Sequence, residues 1–462
     1  MHRLDSADAV RSRRVVAIVR TRFGTDGIRG RVPEELGAEQ AFRVGAAVAE
    51  QLRVGKNGCG RIVVGHDPRC SSDMLEAAVI AGICTAGADV ERIGVMPTPA
   101  VALLTRRHGA DGGVMISASH NTAEYNGIKC FDAQGYKLTR QKEGELETRI
   151  RQNLISSERI GRVRKPAQNP VREYTDYLSD CVSQELSGLR VLFDCANGAA
   201  SATIARLIRC LDLRADVIGC YPDGENINQG CGSTNLSQLQ EGMACHAYDV
   251  GFAFDGDADR CIAVDESGEK LDGDVLLGVF AQQWKKEHPN CVACATTTVL
   301  SNLGLRTFLQ EHGITTAYTD VGDRQVMQTM RQNQSGVGGE PSGHMIFREY
   351  GTTGDGQLTA IRLLEWLATE GMRASELRKQ WKPLPQIVRN VSVPPELQAK
   401  IAASNKVRNA VAVWEKRLEE GRLLVRPSGT EAVVRVMAES SDEGAMEQAV
   451  ASICCIIRGE LE

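Results

Sequence analysis

Short apolar runs recur from Phe23 to about Gly268, each breaking into a Gly-, Ser- or Asp-rich segment followed by a helical stretch. Ile62-Val63-Val64-Gly65 runs into a loop, Gly113-Val114-Met115-Ile116 precedes Ser117, Val191-Leu192-Phe193 precedes Asp194, and Gly251-Phe252-Ala253-Phe254 precedes Asp255. Continuous apolar runs separated by helices predict buried, largely parallel strands and therefore an α/β fold. Ligands of such sheets sit beyond the carboxyl ends of the strands, so the pattern itself points at these loops.

After Asp274 the alternation continues, with a strand expected over Val292 to Val299, a helix over Leu305 to Gln310, and a helix starting near Asp355. In the last, Leu358, Ile361, Leu364 and Leu367 recur every three residues, and Leu363 and Trp366 widen the stripe, as in a core helix. The C-terminal segment changes character. A long helix is expected from Pro395 to about Glu419, then strands at Leu423 to Val425 and Val433 to Met437. A final helix follows, carrying Met446, Ala449, Val450, Ile453 and Ile457 behind a Ser440-x-x-Glu443 capping box. This reads as a small α+β domain. Pro-containing stretches at 164–170 and 381–385 are expected joints. The chain divides into a leader at 1–21, α/β units at 22–166, 167–268 and 269–384, and an α+β unit at 385–462. There is no exact internal repeat, although three successive α/β units leave room for structural repetition.

Composition narrows the class. The 462 residues are enough for several domains, and 42% hydrophobic with 24% charged residues is ordinary for a globular chain. Lys and Arg number 54 against 59 Asp and Glu, a net charge of −5, so nucleic acid and anionic membrane are not expected partners. The longest uncharged run, His288 to Leu305, is too polar to span a bilayer, and Val15 to Val19 is too short for a signal-peptide core, so the cytoplasm is expected. Fifteen cysteines, scattered through apolar segments, read as reduced thiols. The one CxxC, Cys291 to Cys294, opens a β-rich run in which residues three apart face opposite sides, so no metal is expected there.

Three carboxylates at alternate positions, in Asp255-Gly256-Asp257-Ala258-Asp259-Arg260, follow a strand directly. Such crowding of negative charge calls for a cation, and hard oxygen ligands suit Mg²⁺. An EF-hand would use the same three aspartates with Glu266 at its last position, but Arg260 stands where its turn needs Gly. An aspartyl phosphatase could use Asp255 as nucleophile and Asp257 as acid, leaving the other motifs without a role.

Those motifs are polar loops. Ser117-Ala118-Ser119-His120-Asn121, followed by Asn126-Gly127-Ile128-Lys129, offers a hydroxyl nucleophile with His120 and Lys129 as proton carriers. Gly339-Glu340-Pro341-Ser342-Gly343-His344 groups a carboxylate, a hydroxyl and an imidazole suited to sugar hydroxyls. Arg426-Pro427-Ser428-Gly429-Thr430-Glu431 with Arg435 supplies guanidinium, hydroxyl and backbone donors suited to phosphate. Together the four loops indicate a phosphosugar enzyme.

These motifs, with Phe23 to Gly30 and Thr319-Asp320-Val321-Gly322-Asp323-Arg324, resemble those of the α-D-phosphohexomutases in family order, most closely the bacterial branch acting on glucosamine phosphates. The resemblance covers about Phe23 to Glu439. It implies three related α/β domains and a fourth α+β domain around a central cleft. It further implies that Ser119 carries a phosphoryl group and completes a Mg²⁺ site with Asp255, Asp257 and Asp259, while Arg29, Lys129 and Arg260 offset the charge. The implied reaction interconverts glucosamine 6-phosphate and glucosamine 1-phosphate through glucosamine 1,6-bisphosphate, which is also an activator, and supplies UDP-N-acetylglucosamine synthesis.

By the same resemblance Lys129 is the expected general base, assisted by His120. Arg260, Glu340, Ser342 and His344 bind the sugar, Arg426, Ser428, Gly429, Thr430 and Arg435 bind the idle phosphate, and a homodimer is expected. The nearest alternative is a relative acting on mannose or glucose phosphates. The chain departs from the family pattern at Thr122 and Ala432, where Pro is usual, at His66, where a basic residue is usual, and at Asn235-Leu236, where His-Pro is usual.

Overall fold

The computed structural model describes residues 22–24, 26–53, 60–152, 157–418, 420–428 and 432–461. The predicted leader at 1–21 lies outside the described residues. Four sheets account for the strands. The first takes β1 (Ile28–Arg31), β2 (Arg61–His66), β3 (Asp89–Val95), β4 (Gly112–Ile116), β5 (Tyr125–Asp132) and β6 (Val163–Arg164) in the order β1-β5-β4-β2-β3-β6. The second takes β7 (Arg190–Asp194), β8 (Arg214–Ile218), β9 (Val250–Phe254), β10 (Cys261–Asp265) and β11 (Lys270–Leu271) in the order β11-β10-β9-β7-β8. The third takes β12 (Cys294–Thr298), β13 (Thr315–Thr319), β14 (Val337–Gly339) and β15 (Met345–Phe347) in the order β13-β12-β14-β15. The fourth, of β16 (Gln386–Ser392), β17 (Arg422–Pro427) and β18 (Val433–Glu439), is antiparallel in the order β16-β18-β17.

The first three sheets repeat one topology that sequence identity conceals. In each, a strand, a helix, a parallel neighbour and a second helix lead to a third parallel strand, which then turns back into an antiparallel partner. The turning strands are β4 into β5, β9 into β10 and β14 into β15. The Ser119, Asp255–Arg260 and Glu340–His344 segments occupy that same turn in successive units, beyond the carboxyl end of the third parallel strand. Because strands flank the three-aspartate loop on both sides, the EF-hand alternative is excluded: it needs helices there.

Side-chain alternation explains how the first sheet is covered. Ile62, Val64, Val114 and Ile116 enter one apolar core, whereas Val63 and Met115 on the opposite face join a second core. That second core runs on through Phe193, Phe252 and the helix Gly356–Glu370, welding the three α/β units together. The fourth sheet has its own core. It is tethered to the third unit where the Leu303 amide donates to Glu439 Oε1 at 2.7 Å and the Arg422 guanidinium donates to the Ser301 carbonyl.

Three local expectations need correction. The long helix expected over Pro395 to Glu419 is two helices, Pro395–Ala402 and Asn405–Glu415, because the Ser404 side chain accepts from the Val407 amide and starts a new helix. The last helix, Glu443–Gly459, is capped by Asp442, which accepts from the Ala445 amide, and not by a Ser440–Glu443 box. The strand expected from Val292 starts at Cys294, so Cys291 lies before it and is exposed. The described cysteines are all free thiols, and among the described residues no helix is long and apolar enough to cross a membrane.

Candidate active site

The Ser119 loop is built around a left-handed residue. Ser119 has φ of +53° and is fully buried, a conformation that costs free energy unless neighbours fix it. They do so from two sheets. Asp67, after β2, accepts from Ser117 Oγ at 2.6 Å, and Ser117 Oγ accepts from the Ser119 amide at 2.9 Å. Asp67 also pairs with Arg69 at 2.9 Å, both side chains being fully buried. The Arg69 guanidinium donates to the carbonyls of Ser119 (2.9 Å), Asn121 (2.8 Å), Tyr125 (3.0 Å) and Thr122. From the second sheet's loop, Asn228 Nδ2 donates to the Ser119 and Asn121 carbonyls at 2.9 and 2.8 Å. Thr122 is thus held by its carbonyl where the family pattern has Pro.

The aspartate loop meets this serine directly. A Cβ at Gly256 would stand 2.6 Å from the Ser119 carbonyl oxygen, so only glycine allows the two loops to approach. Ser119 Oγ donates to Asp255 Oδ2 at 2.6 Å. Lys129 Nζ reaches Asp257 Oδ2 at 2.6 Å, Asp259 Oδ2 at 3.0 Å and Asp26 Oδ2 at 2.9 Å, and Thr98 Oγ1 also donates to Asp257. Burial, and then Asp259 and Asp257, push the Asp255 carboxyl well above its usual range. Burial raises Asp257 too, while Lys129 holds Asp259 low against its own burial.

These residues fit a divalent cation. Oxygen atoms of Asp255, Asp257 and Asp259 lie within 4.8 Å of one another, and the buried Asp257 Oδ1 and Asp259 Oδ1 have no hydrogen-bond partner. An all-oxygen, fully buried donor set with orphaned lone pairs suits a hard ion.

Burial opposes the charge of Lys129, the expected general base, but Asp257, Asp259 and Asp26 hold it well above its ordinary value, so its ammonium balances the buried carboxylates. His120 behaves in the opposite way. Burial, Arg260 and Arg29 push it down to about 3, leaving a neutral imidazole whose Nδ1 lies 3.5 Å from Ser119 Oγ. Arg29 donates to Asn121 Oδ1 at 3.3 Å and pairs with Asp26 at 2.5 Å. Burial raises Asp26, yet Lys129, Lys137 and Arg29 hold it well below the usual carboxylate range, and Lys137 links it across to Asp323.

A cavity of about 270 Å³ opens above these groups, and all four units line it. Asp26 comes from the first, Asp259 and Arg260 from the second, Glu340, Ser342 and His344 from the third, and Arg426 and Arg435 from the fourth. The Gly354 amide donates to His344 Nε2 at 3.2 Å, so Nδ1 carries the proton; this buried N–H has no partner and is free for a ligand. Glu340 Oε1 accepts from the Gly322 amide at 3.1 Å, and burial raises its carboxyl. Arg426 and Arg435 stand opposite each other on β17 and β18, and burial followed by Arg435 lowers Arg426. Two adjacent guanidinium groups on a cavity wall favour a dianion between them. Ser428 is not on this wall, and Gly429 and Thr430 lie outside the described residues.

Sequence reasoning missed Asp67, Arg69, Asn228 and Lys137. The one available signal was the Asp67-x-Arg69 pair immediately after a strand.

Four family models match the chain in succession: Phosphoglucomutase/phosphomannomutase, alpha/beta/alpha domain I at residues 20–155, domain II at 172–268, domain III at 272–384, and the C-terminal domain at 390–454. The chain is 40% identical to the phosphoglucosamine mutase of Clostridium botulinum (strain Loch Maree) over 446 residues, 95% of this chain and 99% of that one. It is 42% identical to that of Acetivibrio thermocellus over 447 residues, with the same coverage. Among solved structures, a phosphoglucomutase/phosphomannomutase family protein from Burkholderia thailandensis superposes with a TM-score of 0.80 at 24% identity, covering 96% of this chain and 98% of that one. The Aspergillus fumigatus N-acetylphosphoglucosamine mutase, solved with GlcNAc-6P and magnesium, superposes with a TM-score of 0.70 at 16% identity over 95% of each chain. These two show a shared fold.

Proposed function

The chain belongs to the phosphoglucomutase/phosphomannomutase family, the α-D-phosphohexomutases, and from that premise we propose that it interconverts glucosamine 6-phosphate and glucosamine 1-phosphate, with Ser119 as the phosphoryl carrier. The observation that carries this reading is the 2.6 Å contact of Ser119 Oγ with Asp255, in the same aspartate loop whose Asp259 and Arg260 line a cavity shared by all four units.

In the first half-reaction O1 of glucosamine 6-phosphate attacks phosphorus on phosphorylated Ser119. The P–Oγ bond breaks, and glucosamine 1,6-bisphosphate forms. The bisphosphate turns end for end, its 6-phosphoryl group returns to Ser119 Oγ, and glucosamine 1-phosphate leaves. Mg²⁺ held by Asp255, Asp257 and Asp259 would supply positive charge to the transferring group. Lys129, Arg29 and Arg260 add fixed cations around it. Outside the aspartate set, His120 Nδ1 lies 3.5 Å from Ser119 Oγ, within reach for proton exchange, and a bound phosphoryl dianion, by offsetting Arg260 and Arg29, would raise its basicity. Arg426 and Arg435 hold the phosphate that is not reacting, while Glu340, Ser342 and the free His344 Nδ1–H hold hydroxyls in either orientation.

We place the joints of the four units near 166, 271 and 384, the second being moved from 268 because β11 belongs to the second sheet. The family reading assigns the enzyme to cytoplasmic supply of UDP-N-acetylglucosamine. ³¹P NMR with Mg²⁺, a trace of 1,6-bisphosphate and the 6-phosphates of glucosamine, glucose or mannose in parallel tests the proposal. Fastest conversion of the glucosamine ester to its 1-phosphate is expected. Release of inorganic phosphate alone would overturn it.

A further inference from the structure

His66, a departure from the family pattern, sits at the end of β2 beside Asp73 and Glu76, one turn apart on the helix Ser72–Thr85. Its Nδ1 lies 2.8 Å from the Asp67 backbone oxygen, which can only accept, so Nδ1 donates there and Nε2 is the ring nitrogen turned to the carboxylates. Nε2 faces Glu76 Oε2 at 3.8 Å and Asp73 Oδ1 at 4.0 Å, beyond hydrogen-bond reach of either. His66 and Glu76 are both buried, and Glu76 Oε1 has no hydrogen-bond partner. One side-chain atom each of His66, Asp73 and Glu76 thus lies within 4.8 Å of the other two.

We propose that His66, Asp73 and Glu76 form a second metal site, for a divalent cation of borderline hardness such as Zn²⁺ or Co²⁺. Imidazole with two carboxylates suits these ions, and the Nδ1–H bond to a backbone carbonyl is the usual support of a ligating histidine. Asp73 is 83% exposed and free to close the small excess in separation. The competitor is Arg92, which pairs with Glu76 Oε2 through both Nη2 at 2.6 Å and Nε at 2.7 Å and lies 4.0 Å from Asp73 Oδ1. Its side chain is 51% exposed, so it can turn to water as the metal enters, exchanging one positive partner of Glu76 for another. The site shares no residue with the three-aspartate loop and does not rest on the mutase reading.

The test titrates the full-length protein with Co²⁺ by visible absorption and with Zn²⁺ by calorimetry, in excess Mg²⁺ to occupy the aspartate loop. One Mg²⁺-resistant equivalent is expected, with the spectrum of a low-coordinate Co²⁺ site. His66→Asn and the isosteric Glu76→Gln should each weaken it by roughly tenfold or more, and Arg92→Gln should strengthen it by roughly tenfold. The proposal is overturned if the wild type holds no such equivalent, if the equivalent survives unchanged in folded His66→Asn and Glu76→Gln proteins, or if Arg92→Gln fails to tighten it.

Discussion

Asn228, carried by the second sheet's unit, donates to the Ser119 carbonyl at 2.9 Å, so the nucleophile loop of the first sheet is held in part from the second. Arg69 donates to the same oxygen from within the first unit, also at 2.9 Å. The left-handed turn at Ser119 thus depends on the docking of two units.

Asn228→Ala removes one of these two clamps without touching the sugar cavity. Loss of a buried donor shared by two carbonyls costs about 1–3 kcal/mol. The expected result is a roughly 10- to 100-fold lower kcat with KM for the sugar phosphate little changed, read by steady-state kinetics.

Asp257→Asn takes a charge from the proposed metal set and a partner from Lys129. Calorimetry with Mg²⁺ or Mn²⁺ should show affinity falling by at least about tenfold. Chelation of the wild type should abolish turnover until Mg²⁺ is restored.

Arg426→Gln leaves Arg435 alone against the idle phosphate. A group that binds ground state and transition state alike acts on KM, so a rise of about tenfold or more in KM with a smaller fall in kcat is expected. Equal losses in kcat and kcat/KM would assign Arg426 to the transferring group instead.

Asp274 supplies a pH-dependent term in stability. Its Oδ2 accepts from the Asn302 amide at 2.7 Å, its Oδ1 is buried without a partner, and burial followed by Asp272 pushes its pKa up to about 7. The unfolded chain has an ordinary value of about 3.9, so between roughly pH 4 and 7 the native state holds a proton that the unfolded state has lost. Stability therefore falls as pH rises through that window, by an upper bound of about 4 kcal/mol. Asp274→Asn should raise Tm at about pH 8, where the wild type bears the full penalty, and flatten the profile between about pH 4 and 7.

The Ser119 and three-aspartate loops were legible in the sequence because each follows an uninterrupted apolar run that ends at the turn from β4 or β9, whereas the Glu340 loop after β14 was legible by its glycines and its polar side chains. The repetition of topology was not legible, since it resides in strand order and not in residue identity. Arg69 and Asn228 escaped notice because their partner Ser119 lies 50 and 109 positions away in the chain, so no local spacing joins them. The surroundings of Lys129 were hidden for the same reason: only the fold brings Asp26, Asp257 and Asp259 around one ammonium. At the C-terminal end, Ser404 starts a new helix inside a stretch that apolar spacing read as one, and Asp442 caps the last helix in place of the Ser440 box.

The most direct test of the account is a single turnover. Protein phosphorylated on Ser119, mixed with Mg²⁺ and one equivalent of glucosamine 6-phosphate, is followed by ³¹P NMR and by mass spectrometry of the Ser119 peptide. The account predicts that the phosphoserine signal disappears as glucosamine 1,6-bisphosphate appears, with no inorganic phosphate, and that Ser119→Ala protein neither accepts phosphate nor turns over. Inorganic phosphate as the product, or sustained mutase turnover by Ser119→Ala, would contradict it.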